Sequence, residues 1–168
     1  MKKIIYLSFI VVLFSACSAD QPVRYFSASP EIEATKSILK AYIDADWDAM
    51  KSHYADTAKV QNNVPEKKGI SIDSAMVEYK QEHELFSNIA YVADEDFFEM
   101  VLTDDGETWV NYWGLWVGTL RATGVKYEIP VHITLRFINQ KVVLEHGYWN
   151  SAEIALALTK LETQPQTP

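Results

Sequence analysis

The sequence predicts an α+β domain in which helices come first and a meander of long strands follows. Three observations carry this. Apolar residues between Ile38 and Phe86 recur at spacings of three and four, the period of a helix with one buried face. Tyr127, Ile129, Val131, Ile133, Leu135 and Phe137 alternate with Glu128, Pro130, His132, Thr134 and Arg136, the period of a strand with one apolar face. Asp104-Asp105-Gly106 and Thr123-Gly124 supply turns between the strand-like segments. Elements segregated in this order pack as layers. A curved sheet wrapping the helices, mixed or antiparallel, encloses a cone-like cavity.

Each element has its own local reason. Ser29-Pro30-Glu31 is a helix start, with a capping hydroxyl, proline at the first helical position and acids in the first turn. Ile38, Leu39, Tyr42 and Ile43 form the apolar face of this helix, which is expected to end near Ala45. Asp46 caps a second short helix carrying Trp47, Met50 and Tyr54. Ala58 to Gln61 reads as a short strand and Asn62 to Gly69 as a polar loop. A third helix, near Ile72 to Asn88, carries the stripe Ile72, Met76, Tyr79, His83 and Phe86. Tyr91 to Leu102, Thr108 to Ala122, Lys126 to Ile138 and Val142 to Trp149 are the strands.

The chain has 168 residues, 48% of them hydrophobic, and a formal charge of −8. One domain with a real core fits this length. The acidic balance argues against nucleic acid, whose backbone needs a basic face. A single cysteine excludes a disulfide framework and a four-cysteine zinc site.

That cysteine has a telling position. Met1-Lys2-Lys3 is positive, Ile4 to Phe14 is apolar except for Ser8, and Ser15-Ala16-Cys17 follows. This is the layout of a secretory signal, too short for a permanent span of roughly 20 apolar residues. Phe14-Ser15-Ala16-Cys17 resembles the lipobox of bacterial lipoproteins, with Phe14 where leucine is usual. The resemblance implies cleavage after residue 16 and lipidation of Cys17. With Ser18 rather than aspartate next, it points to the outer membrane of a bacterial cell envelope. Removing Lys2 and Lys3 leaves a still more acidic body, so the lipid and not a basic patch must anchor it. The expected organisation is a signal peptide over 1–16, a tether over 17–30, one domain over 31–160 and a flexible tail over 161–168.

The order of elements is accompanied by three motifs: Tyr42 to Met50 running on to His53-Tyr54-Ala55-Asp56-Thr57-Ala58-Lys59-Val60, then Trp113-Gly114-Leu115-Trp116-Val117-Gly118-Thr119, and finally Arg136 to Val143 with Tyr148-Trp149-Asn150. Together they resemble the NTF2-like superfamily, which includes SnoaL-like and ketosteroid-isomerase-like proteins. The resemblance implies a cone-shaped pocket and, commonly, a homodimer through the outer face of the sheet. Function does not follow from the fold, which hosts many activities. In ketosteroid isomerase a carboxylate base follows the first short strand, and the matching position here is Asn62, which cannot accept a proton in that way. The isomerase's oxyanion tyrosine falls at Ile38 and its protonated aspartic acid near Ile133. The aspartate that ends the last strand in many SnoaL-like chains is Asn150 here.

The resulting expectation is a pocket protein for a small hydrophobic molecule, with catalysis unassigned. Tyr54, Asn62, Trp113, Leu135 and Trp149 are the candidate ligand-binding residues. A SnoaL-like isomerase, dehydratase or cyclase using His53 or Glu145 for proton transfer is the alternative, and an assembly module is a third. No cofactor or metal is expected, because there is no nucleotide-binding glycine loop and His132 and His146 lack a metal-ligand frame. The last strand leaves two arrangements open. A two-residue turn at Asn139-Gln140 puts His146 and Tyr148 on the face of Ile133 and Leu135. A three-residue loop puts Glu145, Gly147 and Trp149 there instead, since a one-residue slip exchanges the faces.

Overall fold

The computed structural model describes residues 23–163. The signal segment 1–16, Cys17 and the end of the tail lie outside the described residues. Within them are four helices: α1 (Pro30–Ile43), α2 (Trp47–Ser52), α3 (Ile72–Leu85) and α4 (Ala152–Thr163). The strands are β1 (Tyr25–Phe26), β2 (Tyr54–Asn62), β3 (Ile70–Ser71), β4 (Phe86–Tyr91), β5 (Phe97–Leu102), β6 (Thr108–Leu120), β7 (Lys126–Ile138) and β8 (Lys141–Trp149).

Local chemistry sets the helix starts. The Ser29 hydroxyl accepts from the Ile32 amide at 3.1 Å, and the Asp46 carboxylate accepts from the Ala49 amide at 3.0 Å. α1 stops at Ile43, and Ala45 takes a positive φ of 55° so that the chain can turn into α2. α2 is shorter than expected. It ends at Ser52, so Tyr54 is the first residue of a nine-residue strand and not a helix position. α3 also ends early, at Leu85, and Phe86 opens β4. Of the expected strand from Tyr91 to Leu102, Tyr91 closes β4, a short 3-10 turn takes Ala93–Glu95, and Phe97–Leu102 form β5. β1, β3 and α4 have no counterpart in the sequence-level reading.

The sheet runs β1-β5-β6-β7-β8-β2-β3, with β4 pairing the far half of β6. It is mixed, because β2 runs parallel to β8 while the other pairs are antiparallel. Its concave face covers α1 and α3, and Ile32, Ile38, Val60, Ile72, Met76, Val110, Tyr112, Leu120 and Leu135 form a continuous buried core between them.

The hairpin between β7 and β8 decides the site. Asn139 and Gln140 both adopt positive φ, 50° and 61°, and Ile138 pairs directly with Lys141. This is a two-residue turn of the type whose twist suits a hairpin. Two residues later the register shifts: Phe137 pairs with Val142, but Arg136 pairs with Leu144, leaving Val143 as a β-bulge. The bulge exchanges the faces of everything beyond it. Val142 is buried on the near side of the bulge, and Glu145, Gly147 and Trp149 stand opposite Leu135, Ile133 and Val131 on the concave face. The two expected arrangements are thus combined: the turn is the short one, and the inward residues are those assigned to the long one.

Candidate functional site

A cavity of about 330 Å³ lies between the concave face and the helices. Its walls are apolar, built from Ile38 and Leu39 of α1, Phe86, Ile129, Val131 and Leu135. Ser151, just before α4, and Ile154 within it join the lining. Period-two alternation directs these side chains inward from the sheet, and helical spacing directs them from α1 and α3.

Two hydrogen-bonded relays cross this apolar space. In the first, Glu145 is 4% exposed and accepts on both oxygens: the Tyr54 hydroxyl donates to Oε2 at 2.5 Å and the Tyr79 hydroxyl to Oε1 at 2.8 Å. Asn62 Nδ2 donates to the Tyr79 oxygen at 2.9 Å. In the second, Trp116 Nε1 donates to the Tyr42 oxygen at 3.1 Å, and the Tyr42 hydroxyl donates to Glu82 Oε1 at 2.7 Å. Burial pushes the Tyr54, Tyr79 and Tyr42 phenols well above their ordinary range, and the neighbouring glutamates add to this. The phenols therefore stay protonated and act as fixed donors. Burial also raises the Glu82 carboxyl, opposed in part by the Tyr42 hydrogen bond.

Two glycines make room for the rings. A methyl group at Gly118 would sit 2.4 Å from the Trp116 ring, and one at Gly147 would sit 2.3 Å from both Asn62 Oδ1 and the Trp149 ring. Only a residue without Cβ lets these side chains lie flat over the strands.

Of the expected binding residues, Tyr54, Asn62, Leu135 and Trp149 line the cavity together, and Glu145 joins them. Trp113 does not. It is 39% exposed on the opposite face of the sheet, because inward positions on β6 are the even-numbered ones, such as Val110, Tyr112 and Trp116. There it stacks on His132 with ring centroids 4.5 Å apart. His53 is also outside the cavity lining. It is the C-cap of α2, its carbonyl accepts from the Val142 amide, and burial together with Lys141 lowers its pKa. His132 and His146 flank Tyr148 in a row of near-parallel rings on the outer face. Arg136 donates to Glu107 at 2.7 Å on that face. Among the described residues no group of three or more His, Cys, Asp or Glu is arranged to hold a metal ion.

Tyr42, Tyr79, Glu82 and Tyr91 are lining residues that sequence reasoning did not assign to the site. The signal was present for three of them. Tyr42 and Tyr79 sit in the apolar stripes of α1 and α3, where a phenol hydroxyl needs a buried partner. Glu82 is three residues beyond Tyr79, on the same helical face.

Comparison with known proteins bears on the fold. No family model and no curated protein matches the sequence. Solved structures do match. An NTF2-like protein from Burkholderia xenovorans superposes with a TM-score of 0.60 at 13% identity, covering 79% of this chain and 98% of that one. A Shewanella denitrificans protein assigned as a SnoaL-like polyketide cyclase gives 0.60 at 15% identity, over 79% and 99%. A Catenulispora acidiphila protein with a ketosteroid-isomerase-like fold, in complex with trimethylamine, gives 0.54 at 11% identity, over 69% and 84%.

The fold is NTF2-like. Within the NTF2-like cone, Ile38, Asn62 and Ile133 all line the cavity at the positions where the resemblance placed the isomerase's acid–base groups. The cavity's carboxylate comes instead from Glu145 on the last strand.

Proposed function

We propose that this chain is a lipid-anchored protein of the bacterial cell envelope whose NTF2-like domain holds a small hydrophobic molecule. One observation carries the binding reading: an open, mostly apolar cavity of about 330 Å³, near the lower end of the range for small-molecule sites, with a few fixed polar groups. That a protein of this fold is in complex with trimethylamine supports a small-molecule reading. The anchor rests on Cys17 and the apolar segment before it. No helix among the described residues is long and apolar enough to cross a membrane. The outer face of the sheet, with Phe97, Trp113 and Tyr148 exposed, is the surface we assign to a homodimer. Native mass spectrometry after gentle purification tests both points. A dimer carrying an extra small-molecule mass is the expected result. An apo species that also takes up no ligand from a hydrophobic library overturns the binding reading, and a strict monomer overturns the dimer.

A second reading is a SnoaL-like enzyme performing proton transfer. It is favoured by Glu145, a carboxylate inside the cavity and oriented by two phenols. His53 has no part in it, being outside the cavity lining. Turnover by the protein that Glu145→Gln abolishes, with binding retained, is the result that would support it.

A further inference from the structure

The chemistry of the cavity wall narrows the ligand class. Among the described residues three carboxylates line it, Glu78 and Glu82 one helical turn apart on α3 and Glu145 on β8, and no lysine, arginine or histidine does. None of the ion pairs among the described residues involves Glu82 or Glu145. A buried carboxylate without a countercharge is costly, and hydrogen bonds offset only part of that cost.

The hydroxyls of Tyr54 and Tyr79 are engaged by Glu145, that of Tyr42 by Glu82, and the indole N–H of Trp116 by Tyr42. One N–H of Asn62 is engaged by Tyr79. These groups turn their hydrogens toward one another. Asn62 Oδ1 adds a buried acceptor that has no partner. The remaining donors of the lining, on Tyr91, Trp149, Gln81 and Ser151, are neutral, so an anion meets carboxylates and no positive charge, whereas a cation meets carboxylates and aromatic rings. Tyr42 is flanked by Tyr79 at 5.9 Å and Tyr91 at 6.1 Å, and Phe86 meets Trp116 edge-on at 5.3 Å. Rings grouped in this way attract ammonium groups through their quadrupoles.

We propose that the cavity takes an organic cation: an amine or quaternary ammonium compound with apolar substituents, its charge beside Glu82 and Glu145 and its apolar part against Ile129, Val131 and Leu135. This rests on the binding reading above and specifies the ligand for the same cavity. Burial that raises the Glu82 carboxyl is consistent with a site completed by a positive charge.

Three probes of one shape test it: 4-hydroxyphenyltrimethylammonium, 4-tert-butylphenol and 4-hydroxybenzenesulfonate, which carry cationic, neutral and anionic tetrahedral heads. Each is titrated into the purified protein, with quenching of tryptophan fluorescence and calorimetry as readouts, since Trp116 and Trp149 line the cavity. The cation is expected to bind about tenfold or more tighter than the neutral probe, and the anion weakest. Glu82→Gln is expected to reduce the preference for the cation over the neutral probe several-fold, the ratio of the two affinities being the readout, and an unchanged ratio overturns the role of Glu82. Equal or tighter binding of 4-tert-butylphenol to the wild-type protein overturns the cation class and leaves the pocket standing. Absence of binding by all three probes to protein shown folded by circular dichroism overturns the pocket as well.

Discussion

Replacing Tyr54 by Phe removes a single oxygen from the interior and leaves Glu145 Oε2 without its donor. Tyr54 is 5% exposed and Glu145 4%, so the bond is largely shielded from bulk water. A hydrogen bond to a charged group contributes about 1.5–3 kcal/mol, and a neutral one about 0.5–1.5 kcal/mol. Tyr54→Phe should therefore destabilise the protein by about 1.5–3 kcal/mol, which for a domain of about 150 residues lowers Tm by about 5–9 °C. The same change in a Glu145→Gln background, where the acceptor is neutral, should cost only about 0.5–1.5 kcal/mol. Urea unfolding of the four proteins closes the cycle and should yield a coupling near 1 kcal/mol with an unchanged m-value. Equal costs in the two backgrounds, or a cost below about 0.5 kcal/mol in the wild type, would refute the claim that Tyr54 stabilises a buried carboxylate.

Other outcomes follow from the same geometry. Gln140 is exposed at a φ of 61°, so Gln140→Gly should stabilise the hairpin by about 0.5–1 kcal/mol, read as an increase in Tm. Deleting Val143 removes the bulge but leaves Leu144 opposite Arg136 and Glu145 opposite Leu135 in regular alternation, so Glu145, Gly147 and Trp149 should keep facing the cavity; binding of the cationic probe and the near-ultraviolet circular dichroism should be retained, and their loss would refute the bulge assignment. Burial lowers the His83 pKa below its unfolded value of 6.5, so the stability linked to this residue is complete above pH 6.5 and is lost as pH falls toward its folded pKa. A His83→Gln variant should show a shallower loss of stability on acidification, whereas Glu82→Gln removes a term of opposite sign, because a carboxyl raised by burial favours the folded state as pH falls.

Much of this architecture was legible from local chemistry. The capping side chains of Ser29 and Asp46 act on amides three residues away, so their effect needs nothing beyond the neighbouring chain. The alternation from Tyr127 to Phe137 identifies β7 to the residue, because a strand buried on one face records its partner layer in every second side chain. That pattern put Leu135 on the inward face, and the resemblance to NTF2-like proteins pointed to Tyr54, Asn62 and Trp149 as pocket residues, while Glu145 depended on a register that the sequence left open. The tertiary structure decided the rest. One unpaired residue at Val143 chooses which face of β8 looks into the cavity, and it depends on how β8 fits simultaneously against β7 and, in parallel, against β2. Trp113 shares a strand with Trp116 but faces away from it, since its side depends on the absolute register of β6 and not on its composition. The pairing of Glu145 with Tyr54 and Tyr79, 91 and 66 residues away in the chain, was beyond any local rule. Such partners are found only when helix and sheet close on one another, because a buried carboxylate is acceptable only where the folded chain has already brought its donors to it.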